Sequence, residues 1–195
     1  MTERIATIKR DTKETSINIK LNLDGNGRST LKTDIPFFDH MLDLFCVHGN
    51  FDLDLTLKGD IEIDYHHSVE DVGICLGKAF HTALGDFKGI KRYSSGLTPM
   101  DESLSQIAID ISNRPFLSFD ADFPKTKIGT FDIELVEEFF NAFVINSKIS
   151  LHIKILTGTN LHHMVESCFK GFGRLLSEAS QLTGSSKVPS SKGLL

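Results

Sequence analysis

A pattern of costly polar side chains occurs twice in this chain: His-His-x-x-Glu, first as His66, His67 and Glu70, then as His162, His163 and Glu166. The copies stand 96 residues apart (162 − 66), close to half of the 195-residue length. A repeat at that distance constrains the fold more than any single element does. It calls for two similar halves that share one core. Around it, "HHSVEDVGICLGK" and "HHMVESCFKGFGR" also agree at Val69/Val165 and Gly77/Gly173.

Local patterns come in the same order in both halves. In "TSINIKLNL", Ile17, Ile19, Leu21 and Leu23 alternate as one face of a half-buried strand. "DGNG", from Asp24 to Gly27, reads as a hairpin turn with "RSTLKT" as its returning strand. "IPFFDHMLDLFCVHG" places Phe38, Leu42 and Phe45 at helical spacing and stops at Gly49. "NFDLDLTLKG" alternates again, and Asp64 caps a helix expected from about Tyr65 to Gly85. Further on, "SLSQIAIDIS", "PFLSFDADF" and "KISLHIKIL" predict strands, and "DIELVEEFFNAFVIN" predicts an amphipathic helix. Asn160 then caps a last helix through Leu182. Each His-His-x-x-Glu therefore opens the last helix of its half. The order predicts an α+β fold of two half-repeats, 1–92 and 93–184, with antiparallel sheets covered on one face by helices. The remaining tail, 185–195, is small and polar and is expected to be mobile.

Composition narrows the function. A net charge of −5 without a long basic run gives no nucleic-acid surface, and no apolar run is long enough to span a bilayer. The N-terminus lacks an apolar signal core and reads as mature protein. Cys46, Cys75 and Cys168 form no CxxC pair, which suits reduced thiols in a cytoplasmic protein.

On a helix, residues i and i+4 stand about 40° apart and neighbours about 100° apart. All three side chains of each motif then project within one narrow arc, with the glutamate between two histidines that diverge enough for each to reach a different ion. Imidazole with carboxylate is a ligand set for divalent transition metals, and leaves zinc, iron and manganese open. A single such motif is more often a solvated helix start, its glutamate favoured by the helix dipole. Two at matched positions argue for metal. His40, beside Asp39, has a carboxylate placed to orient its ring. His152 interrupts an apolar strand ten residues before His162. Six histidines and two glutamates would give each of two ions four protein ligands and leave positions open for catalysis.

The stretches "FFDHMLDLFCVHGNFDL", "DYHHSVEDVG", "DISNRPFL", "NLHHMVESCFKGFGR" and the closing "PSSKG" resemble the imidazoleglycerol-phosphate dehydratase family, in order and over nearly the whole chain. The resemblance implies a duplicated fold like the second domain of ribosomal protein S5. It implies dehydration of D-erythro-imidazole-glycerol phosphate to imidazole-acetol phosphate in L-histidine biosynthesis, with two Mn²⁺ ions per site. Trimers would assemble into a 24-subunit homo-oligomer with sites between protomers. The implied metal ligands are His40, His66, His67, Glu70, His152, His162, His163 and Glu166. Glu14 matches the family's acid/base residue, and Arg92, Arg114, Lys170, Ser190 and Lys192 match its phosphate contacts. A hydrolase acting on a small phosphorylated molecule, or a non-catalytic metal cage, would use the same ligands.

Overall fold

The computed structural model describes residues 4–195. The first half runs β1 (Ile5–Asp11), β2 (Thr15–Asn22), β3 (Ser29–Lys32), α1 (Pro36–Gly49), β4 (Asp52–Gly59) and α2 (His66–Leu84). The second runs β5 (Tyr93–Met100), β6 (Ser103–Asp110), β7 (Phe116–Asp120), a short hairpin of β8 (Lys127–Ile128) and β9 (Phe131–Asp132), α3 (Leu135–Ser147), β10 (Ser150–Thr157) and α4 (Leu161–Ser180). Apart from that hairpin, the order of elements is the same. So is the sheet order, β1-β2-β4-β3 in one and β5-β6-β10-β7 in the other. The duplication read from the histidine motifs is thus present in the topology.

The expected hairpin at Asp24–Gly27 does not form. β4, not β3, lies against β2, antiparallel from Thr15 opposite Gly59 to Asn22 opposite Asp52. β3 joins beyond it, parallel to β4. Asp52, at the start of β4, accepts the backbone N–H groups of Asn26 (2.8 Å) and Arg28 (3.0 Å) and so carries the turn across the sheet. β7 pairs parallel with β10 in the same way. The sheets are therefore antiparallel-rich, each with one parallel edge pair.

The helices pack across the halves: α1 lies against α4, and α2 against α3. This explains the matched glycines. A Cβ on Gly77 of α2 would stand 2.5 Å from the carbonyl oxygen of Phe143 in α3, and one on Gly173 of α4 would collide with the Phe45 carbonyl of α1. Both helix pairs approach too closely for a methyl group. Gly173→Ala is expected to cost about 1–3 kcal/mol of stability through overpacking, measured as a lower melting temperature by circular dichroism.

Strand and helix faces meet in one continuous hydrophobic cluster. Ile17, Ile19 and Leu21 face inward from β2, and Ile107 and Ile109 from β6. Phenylalanines fill the helix layer: Phe140 contacts Phe139, Phe169 and Phe172 at centroid separations of 5.4, 5.0 and 5.3 Å. A buried ionic network ties α2 to the first hairpin. Asp71, 5 % exposed, accepts from the Arg10 guanidinium (2.9 Å) and from the Thr15 hydroxyl.

Candidate metal centres at the helix starts

Asn160 is the N-cap of α4 and caps it with its side chain, whereas the N-cap of α2 is Tyr65, which makes no side-chain cap, and Asp64 contributes from one residue before it. Asp64 accepts the His66 N–H (2.7 Å) ahead of α2, and Asn160 accepts the His162 N–H (2.9 Å) ahead of α4. α2 starts one residue later than expected, and α4 ends at Ser180, because Leu182 leaves the helix to bridge with Ile90. These bonds fix the phase of the first turn, which decides where each imidazole goes.

In each motif the first histidine turns toward its own glutamate: His66 Nε2 lies 3.7 Å from Glu70 Oε2, and His162 Nε2 lies 3.1 Å from Glu166 Oε1. The second histidine swings away, its ring nearly perpendicular to the first (89° and 82°). His67 Nδ1 meets Asp60 at 3.0 Å, and its Nε2 is 3.9 Å from Glu14. His163 Nδ1 meets Glu102 at 2.7 Å. The four motif histidines thus face two different surroundings, as their angular spacing required.

Each first histidine gains a third donor from the helix packed against its own. His40 of α1 reaches Glu166 (2.8 Å), and His40, His162 and Glu166 bring their donor atoms within 4.8 Å of one another. Glu138 of α3 joins His66 and Glu70 within the same limit. Ligands around one divalent ion sit about 2.0–2.2 Å from it, so both sets fit a metal after small side-chain movements. Glu138 was missed in the sequence. Its signal was there: it occupies the first turn of the helix equivalent to that of His40, 98 residues on (138 − 40), nearly the motif spacing.

Not every expected residue joins these sets. His152 lies on the outer face of β10, between the inward-facing Leu151 and Ile153, and lines an open cavity of about 710 Å³ with Tyr93, Asp110 and Glu178. Among the described residues it contacts no other candidate ligand of this chain, whereas Glu138 does. Asp39 does not orient His40. It accepts from the Thr33 hydroxyl (2.8 Å), and burial raises its carboxyl above the usual range.

Of the expected phosphate contacts, Lys170 lies nearest a cluster, donating to Glu166 Oε2 at 2.6 Å. Arg92 is engaged inside the chain: its fork holds Asp110 (2.7 and 3.2 Å) and donates to the Pro189 carbonyl (2.8 Å). Arg114 is exposed in the β6–β7 connection, two residues before β7. The tail, expected to be mobile, is laid down through backbone groups. Gly89 N–H donates to Lys187 O, and Asn113 to Leu195 O. Ser190 and Lys192 therefore sit in a segment anchored beside Arg92, although their own side chains are exposed or half-exposed.

Charge at the centres follows these contacts. Burial works against the anionic form of Glu166, but the Lys170 ammonium and the His40 and His162 rings outweigh it and hold the carboxyl down at about 2. Its ordinary value is 4.5, so the stabilisation is complete above that pH and lost as pH falls toward 2. Acid titrations of metal-free protein and Glu166→Gln, followed by circular dichroism, are expected to differ near neutrality and to converge at the acid end. The bond to Asp60 raises His67, and that to Glu102 raises His163.

Fold and site together define a duplicated α+β protein in which two pseudo-equivalent helix starts each gather imidazole and carboxylate donors. The imidazoleglycerol-phosphate dehydratase family model matches residues 33–176. A curated relative of that name from Bacillus licheniformis is 53% identical over 193 residues, 98% of this chain and all of its own. Another, from Caldicellulosiruptor saccharolyticus, is 52% identical over both full lengths. The crystal structure of the Staphylococcus aureus imidazoleglycerol-phosphate dehydratase has a TM-score of 0.83 at 40% identity, covering 91% of this chain and 99% of its own. That from Pyrococcus furiosus gives 0.83 at 34%, covering 96% and 100%. The chain belongs to the imidazoleglycerol-phosphate dehydratase family, a family of hydro-lyases.

Proposed function

We propose that this protein dehydrates D-erythro-imidazole-glycerol phosphate to imidazole-acetol phosphate in L-histidine biosynthesis, using two Mn²⁺ ions per active site. The observation that carries the reading is the pair of pseudo-equivalent donor sets, His40/His162/Glu166 and His66/Glu70/Glu138, in a chain of this family. His67 and His163 face away from these sets and are free to complete ions bound by neighbouring subunits. That supports an assembled homo-oligomer, with trimers building the 24-subunit particle the family resemblance implies. His152 stands on an open sheet face, so any ligand role for it also runs through a neighbour. When bound, the ions would supply Lewis acidity and hold the substrate's imidazole in place.

The chain's own groups account for the remaining work. The reaction takes a proton from a carbon that no carbonyl activates, so the imidazole ring must accept the electron pair. Glu14, at the tip of the β1–β2 hairpin and 55% exposed, removes that proton. The neighbouring hydroxyl leaves as water once protonated, and the resulting enol takes up a proton at carbon to become the ketone. Lys170 and Arg114 neutralise the phosphate, and the tail held by Arg92 brings Ser190 and Lys192 to it. Fixing both ends of the substrate aligns the reacting carbon with Glu14. No described helix is long and apolar enough to cross a membrane, and three buried free thiols accord with a cytoplasmic protein.

The decisive assay is ketone formation from imidazole-glycerol phosphate. Chelation is expected to stop it and added Mn²⁺ to restore it. Release of inorganic phosphate instead would identify a hydrolase, and turnover indifferent to chelator would remove the metals from the mechanism.

A further inference from the structure

The two halves treat topologically equivalent carboxylates differently. Glu14 immediately precedes β2, and Glu102 immediately precedes β6, the equivalent strand. Each approaches the second histidine of its half. Glu14 Oε1 remains 3.9 Å from His67 Nε2. Glu102 is fully committed: Oε2 takes His163 Nδ1 at 2.7 Å, and Oε1 accepts the N–H groups of Asn160 (2.8 Å) and Thr159 (3.2 Å). In the first half the contact to the histidine's Nδ1 is made by Asp60, from the β4–α2 connection, at 3.0 Å. The other oxygen of Asp60 is buried without a partner, so its orientation is set by His67 and the surrounding packing.

We infer that Glu102 and Asp60 are positioning residues that hold the Nδ1–H tautomers of His163 and His67, so that each ring presents the Nε2 lone pair outward as a metal ligand. A carboxylate is acceptor-only, so the ring nitrogen facing it must carry the proton. The other nitrogen is then the basic one, and rotation about χ2 is locked by the same bond. Moving this task to Asp60 in the first half leaves Glu14 uncommitted, its carboxylate exposed and without a hydrogen-bond partner of its own among the described residues. Topologically equivalent carboxylates thus take different tasks, Glu102 orienting a ring and Glu14 remaining uncommitted for acid/base work.

This inference rests on the metal reading of the proposed function, and its test separates the two. Mn²⁺ binding to the intact assembly is titrated through the free-ion electron paramagnetic resonance signal, for wild type, Glu102→Ala, Glu102→Gln, Asp60→Ala and Asp60→Asn. Loss of a partner that orients a metal-binding histidine costs about 10- to 100-fold in metal affinity. That loss is expected at one class of ion in each alanine variant, with the other class unchanged. The amide variants keep an oxygen that accepts from Nδ1–H, so they are expected to recover part of the affinity. A purely structural role predicts equal weakening of both classes and no rescue by the amide. Unchanged affinity in both folded alanine variants, or uniform weakening without rescue, overturns the inference while leaving the metal reading intact. A wild type that binds no Mn²⁺ overturns both.

Discussion

Glu14→Gln is expected to lower turnover by about 10²- to 10⁴-fold, the usual contribution of a positioned acid/base group, with substrate affinity close to that of the parent. The amide matches the carboxylate in shape but cannot take a proton. The substitution should not disturb the fold. Glu14 is exposed, and its hairpin is held by other groups: Thr12 accepts the Glu14 N–H (3.1 Å), and Thr15 is tied to the Arg10–Asp71 pair. The change therefore falls on kcat with KM little affected, which steady-state kinetics and a binding isotherm of the inactive variant together resolve. Unimpaired turnover would remove Glu14 from the chemistry. A large rise in KM with kcat preserved would make it a binding residue instead.

The second large effect is on stability. Phe140 is fully buried where α3 meets α4, among the rings of Phe139, Phe169 and Phe172. Phe140→Ala is expected to cost about 3–5 kcal/mol, combining lost burial with the cavity left behind. For a chain of this length that corresponds to a melting temperature lower by roughly 10 °C or more, measured by calorimetry on the metal-loaded protein. The effect reaches the site as well. α3 carries Glu138 and α4 carries His162 and Glu166, so a layer that loosens here separates donors of both sets. A change of a degree or less would mean the phenylalanine layer is not what holds the four helices in register.

The helices and central strands were legible because their burial is strongly periodic. α1 buries Phe38, Met41, Leu42 and Phe45 on one face, and β2 alternates without a break. The first strand of each sheet was not legible. β1 mixes Ile8 with Lys9 and Arg10, and β5 faces the core with Ser94 and Thr98 rather than with large apolar groups. The false hairpin at Asp24–Gly27 has a different cause. Turn residues state that the chain bends, whereas the pairing partner is chosen by a strand, β4, that begins 25 residues after the turn (52 − 27). At the site, the divergence of paired histidines followed from helix geometry alone. The third donor of each set did not, because His40 and Glu138 arrive through packing of α1 on α4 and α3 on α2, which spacing along one helix cannot reveal. The 96-residue motif spacing applied to His40 reaches Val136, two residues short of Glu138 on the same first turn of α3. His152, implied as a ligand by the family resemblance and by its place in an apolar strand, faces the other side of its sheet.

All of this depends on the two donor sets holding metal, and crystals grown with Mn²⁺ test that most directly. Data collected above and below the manganese absorption edge are expected to give anomalous peaks beside His40, His162 and Glu166 and beside His66, Glu70 and Glu138. Peaks confined to other places, or none at all at ion concentrations that support turnover, would contradict it.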